Sequence, residues 1–296
     1  MLAIVAALVA ASCSADPSAD RSPAPADVGT APLELAFGTY TSDKPTTVVD
    51  QFRPLLDDLE TRLSTKLERP VEIRMQVAPS YEQGIADLVD GRVDIARFGP
   101  ASYVTAFEAN PEIALLAMET RDGRKTFEGI VCVHRDAGID SIEMLGGRRF
   151  AFGSERSTIG RYLAQELLAD HGVHASQLES WEYLGRHDRV GAAVAAGQFD
   201  AGALKDTTFD RLVSVGEPLR QLAVVEVVTK PWLAREGLPT DVRDAATAAL
   251  LEMDDESPLG ALAFDGFVEG NNADYDPIRR AIAGSARFFD DTEGSH

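Results

Sequence analysis

Arg148-Arg149-Phe150-Ala151-Phe152-Gly153-Ser154-Glu155-Arg156-Ser157-Thr158-Ile159-Gly160-Arg161 is the stretch from which the chain is best read. A short apolar strand runs into a small hydroxyl-rich turn, and a helix follows with Leu163, Leu167 and Leu168 on one face. That order aims the unpaired N–H groups of a helix start, and the hydroxyls of Ser157 and Thr158, at one point. Both the orphan donors and the helix dipole favour an anion there. Four arginines (Arg148, Arg149, Arg156, Arg161) stand against the single acid Glu155 in this stretch, although the 296-residue chain carries a formal charge of −20. A local excess of cations in an acidic protein points to an anionic ligand.

The same alternation extends outward in both directions. Upstream, Leu33–Gly38 reads as a strand, and Phe52, Leu55, Leu56, Leu59 and Leu63 fall at helical spacing. Asp50 is the expected cap of that helix, with Pro54 in its first turn. Val71–Met75 alternates as a strand, Tyr81–Val89 as a helix and Val93–Ala96 as a strand, an α/β unit with parallel pairing. A second unit begins near Gly129–Val133 and contains the anion loop, the segment Trp181–Leu184, a helix from Val190 to Ala196 and the strand Phe199–Leu204. After Leu222–Val228 the segments read as mostly helical, including Asp241–Met253. Two α/β units with a helical tail predict two lobes with a cleft at the strand ends.

Composition narrows the partners. The acidic balance argues against non-specific nucleic-acid binding and against docking on an anionic membrane through a basic face. The run Met1–Ser12 is too short to span a bilayer and suits the apolar part of an export signal. Val9-Ala10-Ala11-Ser12-Cys13 resembles a bacterial lipoprotein signal with Cys13 as the lipidated residue, although Ala10 stands where leucine is usual. Residues 14–32 are Ala, Pro, Ser, Asp and Gly in the main, a flexible tether. Cys132 and His134 alternate on one strand and read as a buried small side chain beside an edge histidine rather than a catalytic pair.

Five segments, in order, then resemble one family. Asp94-Ile95-Ala96-Arg97-Phe98-Gly99-Pro100-Ala101-Ser102-Tyr103, Ser157-Thr158-Ile159-Gly160, Gly185-Arg186-His187-Asp188, Phe199-Asp200-Ala201-Gly202-Ala203 and Tyr275-Asp276-Pro277-Ile278-Arg279 are similar to segments of the substrate-binding proteins of phosphonate, phosphite and phosphate ABC transporters. The resemblance implies an α/β, two-lobed periplasmic-binding-protein fold of type II with a ligand cleft between the lobes. It implies a phosphorus oxyanion held by Ser157, Thr158, the N–H groups of Ile159 and Gly160, and His187, with Phe98 as an apolar wall. No cofactor is implied. The implied partners are a permease and an ATPase, with the membrane reached only through the lipid anchor, and the protein acting as a monomer in the cell envelope.

The departures bear on the ligand. Ile159 replaces a serine and Phe98 a tyrosine, removing two hydroxyls, and Arg97 stands where an apolar residue is usual. Where aminophosphonate binders place carboxylates, Thr208 and Lys230 stand here, which disfavours a ligand ammonium and favours an inorganic oxyanion or a more acidic phosphonate. Tyr40 and Tyr81 are read as either cleft or core, Lys205 as either cleft or solvated, and Lys230 as either ligand contact or hinge support. Trp181 and Trp232 are read as packing residues. The expected organisation is a signal with Cys13 over 1–13, a linker over 14–32, a first lobe over 33–125, a second over 126–226, a return segment over 227–290 and a disordered tail over 291–296. A sensor reporting to a membrane receptor kinase remains the alternative function. An enzyme is disfavoured, because no nucleophile elbow or phosphate-transfer loop is present.

Overall fold

The computed structural model describes residues 31–253, 259–260 and 262–290. Cys13 and most of the expected tether, like 291–296, lie outside the described residues.

Strand β1 (Leu33–Tyr40) opens a six-stranded sheet, pairing in parallel with β2 (Val71–Ala78) from Leu33 opposite Val71 to Tyr40 opposite Ala78. On its other edge lies β3 (Ile95–Arg97), also parallel. Helix α1 (Pro45–Lys66) joins β1 to β2, and α2 (Tyr81–Val89) joins β2 to β3. After α3 (Pro100–Ala109) comes β4 (Ala114–Thr120). The chain then crosses into a five-stranded sheet, whose strands lie in the order Ser180–Tyr183, Arg149–Phe152, Ala201–Lys205, Thr126–His134, Leu219–Val228. In it, β5 (Thr126–His134) pairs antiparallel with β8 (Ala201–Lys205) and β9 (Leu219–Val228). β6 (Arg149–Phe152) pairs in parallel with β7 (Ser180–Tyr183) and β8. The second sheet carries α4 (Ala164–Asp170), α5 (His187–Ala195) and α6 (Asp206–Ser214).

The chain returns through Thr229 and Lys230 to the first sheet, and the N–H of Thr229 donates to Lys125 O at 2.9 Å, tying the two crossings together. There β10 (Pro231–Ala234) inserts antiparallel between β3 and β4, and β11 (Gly266–Val268) pairs with β4. Helices α7 (Thr240–Leu251) and α8 (Asp276–Gly284) complete the body. Two crossings side by side make a hinge, and the strand ends of both sheets face the gap between them.

Two expectations need correction. Helix α1 does not start near Asp50: Pro45 takes its first turn behind Lys44, so Pro54 lies inside the helix. The missing N–H costs about 3 kcal/mol. Burial of Val48, Phe52, Leu55, Leu56, Leu59 and Leu63 on the sheet offsets it, at roughly 1.5–3 kcal/mol for each large side chain. The segment after Val228 is not helical at first, because Pro231–Ala234 is a buried strand at the centre of the first sheet, with Trp232 fully enclosed.

Candidate functional site

The turn after β6 is built by close backbone approach. Gly153 N–H donates to Gly160 O at 2.7 Å, and a Cβ on Gly160 would lie 2.8 Å from the Gly153 Cα. Ser157 caps the following turn through its Oγ, which accepts from Gly160 N at 3.0 Å. The first turn, Thr158–Leu163, is π-helical before α4 proper begins. The N–H groups of Thr158 and Ile159 find no acceptor among the described residues, so they remain the donors that a helix start presents. Thr158 Oγ1 accepts from Ala101 N at 2.9 Å, which brings the start of α3 in the first lobe against the start of this turn in the second. Two helix N-termini therefore converge from opposite sides of the gap.

Gly160 sits behind the loop, its N–H occupied by Ser157, and does not reach the cavity. Ile159 does line the cavity, but its side chain packs toward the hinge: a Cβ on Gly129 would meet Ile159 Cγ2 at 2.6 Å. The four arginines of the opening stretch do not reach the cavity. Arg149 pairs with Asp200 at 3.1 Å, Arg156 with Glu82 at 3.4 Å, and Arg161 lies over Tyr162 and Tyr183, while Arg148 is exposed. The charge excess in sequence is thus spent elsewhere, and other cations serve the cleft.

The first lobe supplies an aromatic wall. Tyr40 stacks on Tyr81 with ring centroids 3.9 Å apart and on Phe98 at 5.4 Å. All three are buried, so Tyr40 and Tyr81 belong to core and cleft at once. Tyr40 Oη donates to Ser102 Oγ at 2.9 Å and accepts from Gly99 N at 2.6 Å, which fixes the ring. Burial pushes its phenol above the ordinary range. Tyr81 is pushed further up, by burial and then by Tyr40, with Ser157 partly offsetting the rise. Below this wall Arg97 grips Glu119 with two bonds of 2.6 and 2.9 Å, and Trp232 Nε1 donates to the same carboxylate at 3.1 Å.

The second lobe and the hinge supply the remaining polar groups. His187 starts α5 and is buried, and its Nδ1 has no hydrogen-bond partner. Burial, then the charge of Lys205, pushes its imidazole down to about 4, so the ring is neutral. Lys205, at the end of β8, pairs with Asp43 at 2.5 Å. Asp43 also meets Arg211 at 3.5 Å and Thr208 Oγ1 at 3.3 Å. Burial raises the Asp43 carboxyl, but Lys205 and then His187 outweigh it and hold the group below its ordinary range. Lys230, half-buried at the second crossing, places Nζ 4.8 Å from the Phe127 ring centroid. Burial, then Arg97, pushes its ammonium down to about 7. Its backbone oxygen accepts from Glu119 N at 3.1 Å, so Lys230 both braces the hinge and lines the cavity.

These groups enclose a cavity of about 60 Å³ lined by Tyr40, Tyr81, Arg97, Phe98, Ser157, Thr158, Ile159, His187, Lys205 and Lys230, together with Ser42, Gly99 and Phe127. A single water needs roughly 10–15 Å³, so the space suits a small tetrahedral oxyanion. Among the described residues no group of three or more His, Cys, Asp or Glu is arranged to hold a metal. Cys132 is buried in the second sheet with its thiol pushed up to about 12 by burial, which leaves it inert, and His134 lies 4.0 Å from Asp136 at the edge. Sequence reasoning missed Asp43 and Phe127. Asp43 reads locally as a loop acid before a helix, and its hydrogen-bond partner Thr208 lies 165 residues away.

The family described as ABC transporter, phosphonate, periplasmic substrate-binding protein matches residues 37–275. A probable ABC transporter phosphite binding protein of Prochlorococcus marinus (strain MIT 9301) is 28% identical over 173 residues, 55% of this chain and 58% of the relative. The chain thus spans little more than half of that relative's length. A phosphate-import protein of Mycolicibacterium smegmatis (strain ATCC 700084 / mc(2)155) is 23% identical over 320 aligned positions, covering 97% of both. The structure of the Prochlorococcus marinus protein PhnD1 in complex with methylphosphonate superposes with a TM-score of 0.75 at 23% identity, covering 87% of this chain and all of that one. That likeness establishes the two-lobed binding-protein fold.

Proposed function

The chain belongs to the periplasmic substrate-binding proteins of phosphonate ABC transporters, and on that basis we propose that its cleft captures a small phosphorus oxyanion for import. As a binding component of a transporter it is not an enzyme. The observation that carries the ligand class is the convergence on one cavity of the free Thr158 and Ile159 N–H groups and the unpartnered Nδ1 of His187. Each of these needs a partner on closure, and tetrahedral oxygens supply several acceptors in a small volume.

In this reading Ser157, Thr158, Ile159 and His187 hold the oxyanion from the second lobe, while Tyr40, Tyr81 and Phe98 close over it from the first. Gly160 supports the loop without touching the ligand. Arg97 orients the floor through Glu119, and Lys205 joins the lobes through Asp43. The first lobe comprises 33–125 and the return segment 227–290, and the second comprises 126–226. Cys13 serves as the lipid anchor, with 14–32 as the tether. The protein acts as a monomer at the outer face of the cytoplasmic membrane and hands its ligand to a permease driven by an ATPase.

A thermal-shift panel of phosphate, phosphite, methylphosphonate, 2-aminoethylphosphonate and sulfate tests the reading. A ligand at 100 times its Kd stabilises the fold by about 2.7 kcal/mol, so at least one phosphorus oxyanion raises Tm by several degrees. If none of them moves Tm, the ligand class is wrong.

A further inference from the structure

Three cations line the cavity, and they are not equivalent. Arg97 is neutralised by Glu119 through two hydrogen bonds. Lys205 is neutralised by Asp43 at 2.5 Å, with Arg211 as a second cation on the same carboxylate. Lys230 is different: it is half-buried, its Nζ rests on the Phe127 ring, and the carboxylates of Glu119 and Asp206 act on it only from beyond ion-pairing distance. A desolvated cation without a counter-ion is costly, and a bound anion removes that cost.

The charge balance of the cavity separates two ligand classes of the same shape. One negative charge is matched by the helix start at Thr158 and by the free N–H groups of Thr158 and Ile159, the Ala101 N–H being already taken by Thr158 Oγ1. Of the three cations that line the cavity, Lys230 alone has no carboxylate within ion-pairing distance among the described residues, so it is the one placed to meet a second negative charge.

Building on the oxyanion reading above, we propose that Lys230 is the charge-selecting residue of the cleft. Its ammonium pairs with the second negative charge of the ligand, so a doubly ionised phosphorus oxyanion is accepted and its singly charged isostere, a sulfonate, is rejected. The aromatic wall measures size and the Ser157–Thr158 turn recognises tetrahedral oxygens, and neither can count charge. Lys230 can.

Methylphosphonate and methanesulfonate share a shape and differ by one charge, so their affinity ratio reads the selector directly. Isothermal titration is run at a pH where methylphosphonate is doubly ionised, on the wild-type protein and on Lys230→Met and Lys230→Arg variants. The wild type is expected to prefer methylphosphonate by roughly 30-fold or more, the loss typical of a desolvated charge pair. Lys230→Met is expected to weaken methylphosphonate far more than methanesulfonate and so bring the ratio close to one, and Lys230→Arg is expected to keep the preference. An unchanged ratio in Lys230→Met, or equal wild-type affinities for the two anions, overturns the role of Lys230 and leaves the oxyanion reading standing. Failure of the folded wild type to bind either anion overturns both.

Discussion

Thr158 Oγ1 accepts a 2.9 Å hydrogen bond from the backbone N–H of Ala101, joining the first turn of one lobe's helix to the first turn of the other's. This bond sets the free N–H groups of Thr158 and Ile159 at the edge where the two lobes meet, so in the proposed site closure and anion binding depend on the same few atoms.

Thr158→Val keeps the side-chain shape but removes the acceptor, leaving the Ala101 N–H buried without a partner. The expected cost is about 1–3 kcal/mol in the closed state. It should appear as a loss of roughly 5- to 150-fold in oxyanion affinity by calorimetry. The apo melting temperature should change by only a few degrees.

Asp43 lies 2.5 Å from Lys205 and is itself almost fully buried, so it latches the lobes across the gap. Asp43→Asn leaves Lys205 and Arg211 facing each other without their counter-charge. Breaking a buried pair from one side typically costs about 3–5 kcal/mol. Small-angle scattering should therefore show a larger radius of gyration for the apo variant than for the apo wild type, with saturating ligand restoring the compact form. Equal radii for the two apo proteins would show that the pair does not hold the lobes together.

Stability of the apo protein should fall in mild acid. Burial and Lys205 hold the His187 imidazole down to about 4, against about 6.5 in an unfolded chain. Below about pH 6.5 the unfolded chain takes up a proton that the folded chain refuses until about pH 4. The contribution is therefore complete above that window and lost as pH falls through it, by on the order of 3 kcal/mol. Urea denaturation at about pH 7 and about pH 5 measures the drop, and His187→Gln should flatten it.

At a pH where the ligand is already doubly ionised in solution, its binding should take up a proton. Burial and Arg97 hold the Lys230 ammonium down to about 7, so part of the apo population is uncharged there. A nearby anion favours the charged form and raises the value, drawing up to about one proton from buffer. Titrations in two buffers of different ionisation heat report the uptake, which Lys230→Met should abolish.

The sequence was legible where function is local. Strand, hydroxyl turn and helix follow one another between Phe150 and Leu168, so the helix start at Ser157 and Thr158, where we propose the anion sits, could be read without a structure. Long-range pairing was not legible. Asp43 shows its meaning only when Lys205, Thr208 and Arg211 are folded against it. Counting arginines along the chain misplaced the positive charge, because Asp200, Glu82 and two tyrosine rings absorb Arg149, Arg156 and Arg161. Ile159 looked like a lost hydroxyl, yet it packs into the space left by Gly129. Pro231–Ala234 is four residues long and begins with proline, too short for a period of two to show, although it completes the centre of the first sheet.

A crystal structure of the protein with the phosphorus oxyanion that stabilises it most tests the central claim most directly. The account predicts the phosphorus atom inside the interlobe cavity, its oxygens within hydrogen-bond distance of Thr158 N, Ile159 N and the His187 ring. An oxyanion bound elsewhere, with those donors and His187 Nδ1 still unpaired in a closed cleft, would contradict it.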